Sequence, residues 1–109
     1  MNRDPESLLS ETSERLALVP DCPYHLVKRA LAIQGVDRED GPSLKDARDA
    51  LERAAALDPH HVEALQEIAH FYDAVMPDRE LAVHYARMCL QVVNRIAAEM
   101  TALVQTDEA

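Results

Sequence analysis

Four groups of side chains in this 109-residue sequence have types that do chemistry, and their spacing decides how far each can go. Glu67-Ile68-Ala69-His70 is a Glu-x-x-His, with Glu63 one helical turn earlier. On a helix these three side chains share a face, as carboxylate and imidazole ligands do in di-iron bundles, but a complete site there needs two such motifs and two further carboxylates. The chain has one copy, so a metal-binding bundle using Glu63, Glu67 and His70 is an alternative reading that needs a second chain, and no metal or cofactor is expected. His60-His61 is an adjacent pair whose side chains diverge on regular backbone, a poor bidentate arrangement. His84 stands four residues after Glu80 and suits an exposed pair. Cys22 and Cys89 have neither metal-ligand nor redox spacing, and Cys89 falls at a small-residue position inside a helix, where a thiol is inert. Only Gly35 and Gly41 are glycines, so there is no phosphate-cradling loop, and no nucleophile carries an activating flank. The chain is expected not to be an enzyme.

The elements that hold these residues are helices. Hydrophobic residues make up 48% but aromatics only 4%, so the core must be built from Leu, Ala, Val and Ile, which suits closely packed helices better than a β sandwich. A chain of this length is one domain burying about 60–70% of its unfolded surface. The net charge of −9 repels nucleic-acid backbone and anionic membrane, so the expected partner is a neutral or basic protein. Lys28-Arg29 is the single adjacent basic pair, too little for a nucleic-acid footprint. The start, Met1 to Ser7, has no apolar core of signal-peptide type, and no run approaches 18 apolar residues, so the expected location is the cytoplasm.

In chain order, Asp4-Pro5 opens a helix over 4–19 with Leu8, Leu9, Thr12, Leu16 and Val19 on one face. Asp21-Cys22-Pro23 opens a second, with Leu26, Ala30 and Ile33 as its stripe, ending at Gly35. Val36 to Pro42 is charged, holds both breakers and reads as a solvated, variable loop. Ser43 and Asp46 form a capping box for a third helix running to about Leu57. Asp58-Pro59 is expected to cap the fourth, which uses Val62, Leu65, Ile68, Ala69 and Tyr72 and stops near Met76-Pro77. Asp78 starts the fifth, free of Gly and Pro through Thr106.

The segment 43–90 carries a recognisable pattern. Ala47-x3-Leu51-x2-Ala54-x4-Pro59, then Leu65-x2-Ile68-Ala69-x2-Tyr72, then Ala82-x3-Ala86-x2-Cys89 resembles tetratricopeptide repeats, helical pairs of about 34 residues with small residues at fixed contact points. Leu57 to His61 looks like the family's inter-repeat turn. Leu65 stands where the family prefers Trp, Ala69 where it often has Gly, and Met76-Pro77-Asp78 makes a turn one residue longer than usual. The resemblance implies an all-α, antiparallel helix-hairpin, right-handed superhelix of about five helices: an N-terminal helix (4–19), a degenerate first repeat (22–57), a second repeat (58–90) and a long C-terminal extension (91–106). It also implies a concave groove lined by the first helix of each pair. The partner-binding positions carried over are Tyr24, Val27, Leu31 and Gln34 on the second helix, and Glu63, Gln66, His70 and Asp73 on the fourth. Apolar on one side and acidic to polar on the other, they suit a peptide of hydrophobic and basic character. The implied function is that of an adaptor, assembly or chaperone-like subunit that binds a polypeptide without catalysis.

The extension adds a second expectation. Val92, Val93, Ile96, Ala97, Met100, Leu103 and Val104 form an apolar stripe where the closing helix of a repeat array normally turns a polar face to water. Leaving it wet would forfeit several kcal/mol at about 25 cal/mol per Å2. The foremost candidate to cover it is the N-terminal helix, followed by a second copy of the chain and then a different partner. A homodimer would use Val92, Val93, Ile96, Met100 and Leu103, making the protein a self-associating structural subunit.

Overall fold

The computed structural model describes residues 4–36 and 42–108, and the described residues are all-helical. Five helices follow one another: α1 Pro5–Leu18, α2 Pro23–Gly35, α3 Leu44–Leu57, α4 Val62–His70 and α5 Arg79–Glu108. The centre of the expected loop, 37–41, lies outside the described residues.

Helix starts follow from local chemistry. Asp4 caps α1 by accepting from the Ser7 amide at 2.9 Å, with Pro5 at the first helical position. Ser43 and Asp46 form the reciprocal capping box at the start of α3. Both carboxyls are held below their ordinary pKa, chiefly by the backbone amides that donate to them. The start of α4 departs from expectation: Asp58 spends its side chain on the His60 amide at 3.0 Å inside the turn, and His61 is the cap, its Nδ1 accepting from the Ala64 amide at 3.1 Å. Two residues must first complete the turn, which moves the helix start from Asp58-Pro59 to Val62.

The end of α4 runs into the Met76-Pro77-Asp78 turn through a wider coil. From Phe71 to Val75 the backbone widens into a π-helical turn, in which the Met76 amide donates to the Phe71 carbonyl at 2.9 Å. The Asp78 amide then reaches back to the Tyr72 carbonyl at 2.8 Å, and the Asp78 side chain accepts from Leu81 to open α5. Pro77 has no amide to satisfy, so the reversal costs no unpaired donor there.

Successive helices run antiparallel. Pro5 at the start of α1 abuts Gly35 at the end of α2, Asp21 pairs with Arg53 across the α2/α3 hairpin, and Leu65 near the start of α4 packs with Val92 well along α5. The main core joins Leu9, Leu26, Val27, Ala30, Ile33, Ala47, Leu51, Ala54, Ile68, Phe71, Tyr72 and Ala82. Small residues on α3 and α5 let the helix backbones approach. A smaller cluster of Ala55, Leu65 and Val92, flanked by Val62, Met88 and Cys89, closes the α4/α5 end. The buried Thr12 hydroxyl is satisfied by the Leu8 and Leu9 carbonyls of its own helix.

Two expectations about faces change. On α1, Leu9 and Thr12 are buried and Leu8 and Leu16 half-buried, but Val19 is exposed, because it is the C-cap residue where the backbone leaves the helix. On α5, the N-terminal helix does not cover the apolar stripe: α1 packs against α2, on the far side of the bundle. The stripe is left open, and the molecule measures 60 × 31 × 26 Å with α5 as its long dimension, about 45 Å of helix.

Candidate interaction surfaces

Two surfaces gather the side chains singled out by the sequence. The first spans α2 and α4. Lys28 joins them, its Nζ donating to Glu63 Oε1 at 2.9 Å and standing 5.3 Å from the centre of the Tyr24 ring. The hydrogen bond to Glu63 raises the Lys28 pKa, outweighing partial desolvation. Tyr24 and Glu63 are thus brought together, but through a lysine that the sequence did not point to. Its signal was faint: an i, i+4 Tyr-Lys step facing a carboxylate on another helix.

The remaining groove positions divide. Val27 is fully buried at 0% exposure and belongs to the core, so it cannot contact a partner. It lies next to Leu26 on the side of α2 that the other helices cover, and the stripe assigned to the core was one position too narrow. Leu31 is half-buried against the core, and Gln34 turns its amide back to the Ala30 carbonyl at 3.2 Å. Gln66, His70 and Asp73 are exposed. His70 and Asp73 lie not toward α2 but at a cleft of about 270 Å3 between α4 and α5, with Ala69, Ala82 and Ala86 also lining it and Arg79 at 3.9 Å from Asp73. Among the described residues no group of three or more His, Cys, Asp or Glu side chains is placed to hold a metal ion. Glu63 is instead engaged by Lys28. Cys22 and Cys89 are separate, half-buried free thiols.

Behind the α4/α5 cleft a polar hub ties three elements together, and the sequence reading missed it. Glu52 of α3 accepts from the Tyr72 hydroxyl at 2.6 Å with one carboxylate oxygen and from the Tyr85 hydroxyl with the other. The two rings stack with centroids 6.1 Å apart. Burial, followed by the hydrogen bond to Glu52, pushes both phenol pKa values up.

The second surface is the free part of α5. The helix formed by α4 and its π-helical turn can face α5 only as far as Val92, because α4 begins at Val62 and Val62 packs beside Val92. Val92 is 5% exposed, so it is a core residue and drops out of the expected oligomer interface. Around it Pro59 and His60 of the α3/α4 turn line a small cleft with Gln91 and Arg95, and no residue of either core cluster lies further along the helix. Leu90, Val93, Ile96, Met100, Leu103 and Val104 are all exposed, Leu103 at 64%. The only charges between Met88 and Thr106 are Arg95 and Glu99, 4.0 Å apart on successive turns.

No protein-family model, no curated protein and no solved structure matches this chain. No helix among the described residues is long and apolar enough to cross a membrane. The free part of α5 sets Gln91, Asn94, Arg95, Glu99, Thr101 and Gln105 beside its apolar stripe, so the helix is amphipathic.

Proposed function

We propose that this chain is a non-catalytic protein-binding module, an adaptor or assembly subunit, in which a body of packed helices carries a projecting helical arm that docks on another polypeptide. The observation that carries the reading is the uncovered stripe Val93, Ile96, Met100, Leu103 and Val104, a contiguous apolar patch of several hundred Å2, a size that marks interaction sites on proteins. A partner also explains how the arm stays helical, since a segment of this length is marginal in water by itself. The small-residue contacts of Ala47 and Ala54 on α3 and Ala82 on α5, with Leu51 buried between them, support a reading of the body as two degenerate tetratricopeptide-like hairpins. On that reading Tyr24, Lys28, Glu63 and Gln66 would form a second, polar binding face for a neutral or basic peptide.

Photo-crosslinking in the native host tests this, with a benzophenone amino acid placed at Met100 on the arm and, separately, at Gln66 on the groove face. Both positions are exposed, so neither insertion disturbs the core. A discrete adduct from Met100 is expected. If neither position gives a discrete adduct, the binding-module reading fails.

A further inference from the structure

The geometry points to a second copy of this chain as the polypeptide that covers the arm. We propose that the two α5 arms pair antiparallel, with Val93, Ile96, Met100 and Leu103 of each copy forming one shared four-layer seam. This rests on the reading of the arm as a docking element and names its occupant.

Spacing is the first argument. The four residues follow one another at steps of three, four and three, the seam spacing of paired helices, and the set is symmetric about position 98. Antiparallel alignment about that position sets Val93 opposite Leu103 and Ile96 opposite Met100, and the two-fold axis repeats both layers. A two-fold interface must be complementary to itself, and this stripe is. Leu90, Ala97 and Val104 recur every seven residues along one edge and widen the seam.

Charge is the second. The chain carries −9, which opposes self-association almost anywhere else on its surface, yet the arm from Met88 to Thr106 is neutral. Its Arg95 and Glu99 offset each other within one copy, 4.0 Å apart on successive turns. A basic partner would find no acidic complement along this stripe.

Length and area agree. The free helix from Val93 to Glu108 is about 24 Å long, and alignment about position 98 leaves the two Val92 positions about 18 Å apart along the axis, so the bodies stay separate at opposite ends. A parallel pairing would instead set two acidic bodies side by side. The exposed stripe on two copies amounts to on the order of 1,000 Å2, the threshold for a specific interface.

Light scattering across about 1–200 µM is the test, at concentrations that bracket the micromolar affinity expected of so small an interface. The chain should approach twice its 12.2 kDa mass. Ile96→Lys and Met100→Glu change side chains that are exposed in the single chain, so each variant should keep its helical circular dichroism but stay at single-chain mass. Mixed in equal amounts the two should regain the double mass, because position 96 of one then faces position 100 of the other. A single-chain mass for the unaltered protein, double mass for either variant alone, or a mixture that stays at single-chain mass would overturn the antiparallel seam. A Met100 photo-adduct whose mass is not that of two chains would also overturn it while leaving the binding-module reading in place.

Discussion

Glu52 of α3 ties together three elements, its two carboxylate oxygens accepting from hydroxyls of α4's π-helical turn and of α5. Truncating it leaves two tyrosine hydroxyls without their acceptor, Tyr72 in a buried position and Tyr85 in a half-buried one. Glu52→Ala should therefore lower the unfolding free energy by about 1–3 kcal/mol, and Glu52→Gln, which keeps one acceptor, by less. Chemical denaturation monitored by circular dichroism measures both. The same hub sets an alkaline limit. Tyr72 and Tyr85 have folded-state pKa values raised above the ordinary 10.0, so they bind their protons more tightly in the folded state. Their contribution to stability is whole below pH 10 and is lost as the pH rises above it, because the unfolded chain ionises first. In an alkaline titration their tyrosinate absorbance should appear together with the loss of helix signal. Ionisation of both rings with the helices intact would contradict the burial assigned to them.

At the scale of elements, the packing of α1 on α2 includes one close approach that requires a small residue. A Cβ at Gly35 would lie 2.6 Å from Cγ of the Pro5 ring, and neither a proline ring nor the first turn of α1 has a flexible end to move aside. Gly35→Ala should weaken the α1/α2 contact by about 1–3 kcal/mol despite the better helix propensity of alanine, and amide exchange should rise in α1 well before it rises in α3 or α4. Helices of this kind were legible in the sequence because the apolar spacing and the caps at Asp4 and Ser43 are local signals. The stripe on α5 was legible for the same reason. What failed depends on neighbours far along the chain. Val27 reads as a flank of its own helix until α2 is covered from more than one direction. Val92 belongs to the stripe until Val62 arrives beside it. The Phe71 side chain, fully buried, and the Glu52 hub depend on a π-helical turn that no single residue announces. Lys28 gained its place only when α4 brought Glu63 to it, and the cap passed to His61 because the Asp58 side chain was already used within its turn.

On the scale of the whole molecule, an antiparallel pair of arms would convert a small single-faced module into a two-headed one. Each body keeps its α2/α4 face clear of the seam, since the arm leaves the body at Val92 and the two bodies lie at opposite ends of the paired helices. A target carrying two copies of the recognised segment would then be held at both ends, and the second contact would form at the high effective concentration set by the first. The pairing also ties stability to concentration. A single chain leaves the arm as a helix with no packing on one side, whereas the dimer is favoured by mass action, so the melting temperature of the arm and of the body it stiffens should rise with protein concentration. Heating the protein at about 5 and about 200 µM, either side of the micromolar affinity that an interface near the minimum size implies, should show that rise in the unaltered chain. Ile96→Lys should remove it while leaving the low-concentration melt where it was, because Ile96 makes no core contact within its own chain. A melting temperature independent of concentration in both proteins would place the stability of the fold entirely in the body, with the arm free in solution.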